Sequence, residues 1–168
     1  ILFFESNPKN PNKEIVIEIN QLVNPINNVN KKNIEEKIRK LINDSKSDYI
    51  IFAENNFPYL IDKNNLSNLQ TYIKDNKKVI IGATTFKDGD YYNSFFLLEK
   101  NKFHIFDKRI LVPFGEFLPF RKYLSFMEII SGSADFKKGE TERIIITKDN
   151  LKILPIICYE IVFEKIFK

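Results

Sequence analysis

The sequence predicts a layered α/β fold with mixed strand pairing, and three observations predict it. In the first half of the chain, short continuous apolar runs alternate with stretches of helical period. In the second half, strands follow one another directly, joined by turn signals such as "KDGD". The composition, 43% hydrophobic and 29% charged over 168 residues, is that of a globular chain with one core of ordinary size.

Each element has its own signal. "EIVIEIN" (14–20) reads as a buried strand. In "VNKKNIEEKIRKLINDS" (29–45), Ile34, Ile38, Leu41 and Ile42 recur at i, i+4, i+7 and i+8, the stripe of an amphipathic helix. Glu35 with Arg39 and Glu36 with Lys40 form i, i+4 pairs on its wet side. "DYIIFAE" (48–54) is a buried strand that ends in an acid, and "NLSNLQTYIKDN" (65–76) is a second helix with Leu66, Leu69 and Ile73 on one face. "KKVIIGATTF" (77–86), "YYNSFFLLEK" (91–100) and "KFHIF" (102–106) are successive strands, the first two joined by the Asp-Gly hairpin turn. A short helix near "RKYLSFMEII" (121–130) and the polar segment "SGSADFKKGET" (131–141) precede two last strands, "ERIIITK" and "LKILPIICYE", joined at Asp149-Asn150. With no internal repeat and no flexible linker, residues 1–168 read as a single domain. It is expected to be incomplete at both ends, because the chain starts at Ile1 rather than Met and stops ten residues past Cys158.

Between the strands lies "DKRILVPFGEFLPF" (107–120). Pro113, Gly115 and Pro119 stand too close together for a helix, and two prolines do not fit a strand interior. It is a loop, yet one loaded with Leu111, Val112, Phe114, Phe117, Leu118 and Phe120.

Several function classes drop out. The net charge of +4 is mild and the lysines are interspersed with acids, so no nucleic-acid partner is expected. No run approaches the ~20 apolar residues of a membrane helix. One cysteine excludes an internal disulfide and a multi-thiolate zinc site, and one histidine, His104, makes neither a triad nor a metal centre; no metal or organic cofactor is expected.

Three residues sit just past apolar strands, where an α/β sheet gathers its site: Glu54, Lys108 and Cys158. A carboxylate can take the thiol's proton, the thiolate can attack an acyl carbonyl, and an ammonium can stabilise the oxyanion. On spacing alone the alternatives stay open. Cys158 also reads as an inert core thiol, Glu54 as a strand cap and Lys108 as one lysine among many.

The residues around these three carry a resemblance. "FAE", "DKRILVPFGEFLPF" and "ICYE", in this order, resemble the carbon–nitrogen hydrolase (nitrilase) superfamily. "DKRILVPFGEFLP", "IIGATTFKDGDYYNSFFLLE" and "DFKKGE" resemble its apolipoprotein N-acyltransferase branch, over residues 48 to 164. Ala53 stands where that family more usually has proline. The resemblance implies a nitrilase-like α-β-β-α sandwich and a Glu-Lys-Cys triad, with Glu54 the general base, Lys108 the oxyanion stabiliser and Cys158 the nucleophile. It implies Glu116 as a supporting acid, the alternative being a charge that holds the loop together. Tyr159 and Glu160 would support the cysteine, or be purely structural. The implied reaction moves a fatty acyl group from a phospholipid, through a thioester on Cys158, to the α-amino group of a lipoprotein's diacylglyceryl-cysteine. Phe114 and Phe117 would then touch the acyl chain or lipid, with capping of the core as the alternative. The implied location is the periplasmic side of the bacterial inner membrane, held through segments outside this chain. A soluble amidase of the same superfamily and an inactive fragment remain as alternatives.

Overall fold

The computed structural model describes residues 2–5, 14–22, 30–54, 56–74, 76–119, 135–140, 144–147 and 151–163, of 2–5 the backbone alone. The helix expected at 121–130, the turn at Asp149-Asn150 and residues 131–134 of the polar segment lie outside these.

A five-stranded sheet is built from β2 (Ile17–Asn20), β3 (Tyr49–Phe52), β4 (Lys78–Lys87), β5 (Asp90–Leu98) and β6 (Phe103–Asp107), in that spatial order. β2, β3 and β4 run parallel, because helices α1 (Lys31–Asp44) and α2 (Lys63–Gln70) supply the crossovers that parallel neighbours need. β4, β5 and β6 are antiparallel. The β4–β5 turn places both Asp88 and Gly89 at positive φ (51° and 89°), the two-residue turn whose twist matches a hairpin. Asn30 caps α1 by accepting from the Lys32 amide, and Asp62 caps α2 in a reciprocal box with Asn65.

One face of this sheet is covered by the helices. Ile34, Ile38 and Ile42 of α1, with Leu66, Leu69 and Ile73, pack on Ile50, Phe52, Val79, Ile81, Phe96 and Leu98. The other face packs on a second sheet of β1 (Leu2–Glu5), β8 (Lys152–Pro155) and β7 (Ile145–Ile146), all antiparallel with β8 central. There Tyr49, Ile80, Phe95 and Leu97 meet Ile145, Leu151 and Ile153. Burial on both faces is why β3 and β4 read as unbroken apolar runs rather than alternating ones. The described residues thus form the helix, sheet and sheet layers of the expected sandwich.

Four expectations need correction. The strand read at 14–20 spans only 17–20 and is not buried: among the described residues it lies at the edge of the sheet, beside β3 alone, and Ile17 and Ile19 are 40% and 74% exposed. α2 stops at Gln70, where the Thr71 hydroxyl folds back to the Asn68 carbonyl, although Ile73 is still buried in the turn beyond. β1 has no counterpart among the predicted strands. Cys158 does not end a strand. β8 stops at Pro155, which has no N–H to carry the ladder on, and Cys158 opens a 3-10 helix, Cys158–Val162.

Candidate active site

Glu54 follows β3, Lys108 follows β6, and Cys158 follows β8 after a two-residue link. Lys108 is buried at 1% exposure, an expensive place for an ammonium unless it is paired. The partner is Glu116, whose two carboxylate oxygens accept from the lysine at 2.9 and 2.8 Å. Glu116 also accepts from the Val112 amide at 2.9 Å and from the Asn93 side chain at 3.0 Å. Burial pushes its carboxyl up, but the hydrogen bonds from Lys108, Asn93 and Val112 and the charge of Lys108 outweigh it and hold the group below the ordinary carboxylate range.

The loop that carries Glu116 is shaped to present it. Its turn closes by bonds from the Gly115 and Glu116 amides to the Val112 carbonyl and from the Phe114 amide to the Phe117 carbonyl. Leu111 and Leu118 anchor it in buried positions, Phe117 is half-buried, and Phe114 is exposed at a positive φ of 64°. The segment 135–140 lies over it: Asp135 accepts from the Leu118 amide, and the Phe136 and Gly139 amides donate to the Glu116 and Lys108 carbonyls.

Asn93 joins the pair to Glu54. Its amide donates to Glu116 at 3.0 Å and to Glu54 at 3.2 Å, so Glu54, Asn93, Glu116 and Lys108 form one connected polar chain. Glu54 itself is exposed at the rim of the site, not held in a dry pocket. Cys158 is also exposed, with its backbone at φ 52°, a left-handed conformation that costs a non-glycine residue about 1–2 kcal/mol. Glu54, Asn93 and Cys158 line one pocket of ≈ 230 Å³, whose other walls include Ile80, Phe95 and Ile156. Phe114 and Phe117 are not among its described walls.

Glu160 ties the cysteine's turn to the lysine's loop. It is buried at 2% exposure, and its carboxylate accepts from the Arg109, Ile110 and Ile157 amides at 2.8, 3.0 and 3.0 Å. Tyr159 is exposed and packs edge-on against Phe163 at 5.6 Å.

Sequence reasoning missed two parts. Asn93 carries no role in the sequence reading, although a polar residue entering an apolar strand in "YNS" is a readable signal. The second is a network behind Lys108. The Ser94 hydroxyl donates to Asp107 at 2.6 Å, Thr85 donates to Ser94 at 2.8 Å, and Lys87 pairs with the other Asp107 oxygen at 2.7 Å. It fixes the residue directly before the lysine. The backbone of Gly139 passes so close to Asp107 that a Cβ there would overlap the Asp107 backbone. Among the described residues, no group of three His, Cys, Asp or Glu side chains is placed to hold a metal ion.

No family model matches the chain. Curated relatives named apolipoprotein N-acyltransferase do. The protein of Rickettsia typhi is 40% identical over 96 residues, covering 54% of this chain and 18% of the relative. That of Rickettsia prowazekii is 38% identical over the same length and shares, and that of Rhizobium rhizogenes is 28% identical over 146 residues, covering 79% of this chain and 27% of the relative. The chain therefore spans about a fifth to a quarter of the length of these relatives, and the resemblance read from its motifs is borne out. Among solved structures, a glutamine-dependent NAD(+) synthetase from Cytophaga hutchinsonii matches with a TM-score of 0.50 at 15% identity, over 79% of this chain and 23% of that one. This likeness is one of fold alone, and the fold is the nitrilase-like sandwich that the motifs imply.

Proposed function

We propose that this chain is a catalytic segment of an apolipoprotein N-acyltransferase that works by thioester exchange on Cys158. The observation that carries the reading is the polar chain from Glu54 through Asn93 and Glu116 to Lys108, beside a pocket that Glu54 shares with Cys158. Glu54 takes the thiol proton, and the Cys158 sulfur bonds to the ester carbonyl carbon of a phospholipid. Lys108, held by both oxygens of Glu116, stabilises the oxyanion. The carbon–oxygen bond breaks and the lysophospholipid leaves with the proton from Glu54. The α-amino group of a lipoprotein's N-terminal diacylglyceryl-cysteine then attacks the thioester, forming an amide and restoring the thiol. The exposed Phe114, with Phe117 behind it, meets lipid at the periplasmic face of the inner membrane, and Glu160 and Tyr159 set the cysteine's turn.

The test is to incubate the longest polypeptide carrying this chain with vesicles of acyl-labelled phospholipid and to analyse Cys158 by mass spectrometry. A thioester adduct on the protein, absent from Cys158→Ala, is the expected result. A folded protein whose Cys158 stays unmodified while amide substrates are hydrolysed would sink the transferase reading in favour of an amidase. Replacing Phe114 and Phe117 with Ser is expected to slow labelling from vesicles; unchanged labelling removes their lipid contact.

A further inference from the structure

The pocket beside Cys158 is graded from rim to floor. Glu54 and Cys158 at its rim are exposed, whereas Ile80, Phe95 and Ile156 at its floor are buried. Ile80 and Phe95 lie on the face of the five-stranded sheet that is turned towards the second sheet, so the floor runs in between the two sheets. Gly82 stands two residues beyond Ile80 on the same face of β4, paired in register with Phe95, and lines the pocket.

Nothing in the backbone requires a glycine there. Its φ is outside the positive range, which among the described glycines only Gly89 adopts. A Cβ at position 82 would make ordinary contacts, at 3.8 Å from the Glu54 Cα and 4.0 Å from the Ser94 carbonyl oxygen. A glycine inside a strand forfeits packing and is entropically unfavourable. What it leaves here is room, beside Glu54 in the wall of an apolar slot that opens at a thiol.

We infer that Gly82 is a specificity-determining residue: the slot it opens takes the first carbons of an acyl chain whose carbonyl lies at Cys158, and the side chain at position 82 sets how long a chain fits. The inference rests on the acyl-transfer reading and extends it to a place for the acyl chain inside the protein. A polar acyl group would meet no partner among Ile80, Phe95 and Ile156, while each methylene buried there favours binding about fourfold.

The experiment uses p-nitrophenyl butyrate and octanoate as acyl donors. The Cys158 sulfur bonds to the carbonyl carbon, the ester carbon–oxygen bond breaks, and p-nitrophenolate leaves with the electron pair. Absorbance gives the rate and protein mass gives the adduct. The wild type should acylate at least tenfold faster with octanoate than with butyrate, and Gly82→Val should lower that ratio at least tenfold. Gly82→Ala, which keeps the protein testable where Val does not fold, should lower it about threefold. An octanoate-to-butyrate ratio that these variants leave unchanged overturns the slot while the thioester chemistry stands. If neither ester modifies the wild-type thiol, the acyl-transfer reading fails, and octanoate binding followed by NMR decides the slot separately. Shifts at Ile80 and Phe95 that Gly82→Val abolishes keep it; no shifts remove it.

Discussion

Lys108 is buried and gripped by both oxygens of Glu116, whereas Cys158 and Glu54 stand open to solvent at the rim of the adjoining pocket. The two halves of the site are reached through one amide, Asn93, and through one carboxylate, Glu160. On the lysine side Lys108 and Glu116 compensate each other within the fold, as do Lys87 and Asp107, so its geometry is set before any ligand arrives. On the cysteine side Glu54 and Cys158, to which the proposed reading gives the proton and bond exchange, are open to meet one. Preorganised charge beside an accessible nucleophile is the division of labour that acyl transfer asks for.

Substitutions on the two sides should therefore fail differently. The largest effect is expected from Lys108→Met, which leaves Glu116 half-buried without its cation. It should cost ~3 kcal/mol of stability in urea unfolding and slow Cys158 acylation by about 10²–10³-fold. An acylation rate within a factor of two of wild type would remove Lys108 from the chemistry. Next comes Glu160→Gln, which turns one acceptor oxygen into a donor facing backbone amides; it should lower stability by about 1–3 kcal/mol. Glu116 adds a pH signature. Its folded pKa is lowered, so its contribution is fully present above the unfolded value of about 4.3 and is lost as pH falls through the folded value. Urea midpoints measured from pH 6 to pH 3 should fall more steeply for the wild type than for Glu116→Gln; parallel curves would contradict the pairing.

Smaller effects belong to the open side. Cys158→Gly should be more stable than Cys158→Ala by about 1 kcal/mol, because glycine adopts φ 52° without strain. Equal stabilities would mean that the turn relaxes. The smallest change in stability, below about 0.5 kcal/mol, is expected for Glu54→Gln, an exposed substitution that should nonetheless abolish acylation.

Legibility in the sequence followed burial. β3, the Val79–Ala83 stretch of β4 and the Phe95–Leu98 end of β5 were readable because both their faces are covered and their letters are apolar, and the hairpin because Asp-Gly at its tip has a conformational reason. β1 escaped because four residues near the chain start offer no period, and its partner β8 lies about 150 residues away. β2 misled because its isoleucines look like core while its edge position exposes them. In the site, Glu54, Lys108, Glu116 and Cys158 were visible through their motifs. Glu160's amide donors, 50 and 51 residues back along the chain, were not, since backbone groups leave no letter.

Gly139 carries a consequence of its own. Its amide holds the Lys108 carbonyl while its missing side chain lets the segment lie flush on Asp107. A lone methyl group at that position, on a segment outside the walls of the Cys158 pocket, would wedge the ammonium's foothold sideways. Saturation mutagenesis of 135–140 should accordingly find one spot where even alanine is silenced while neighbouring Lys138 tolerates almost any replacement.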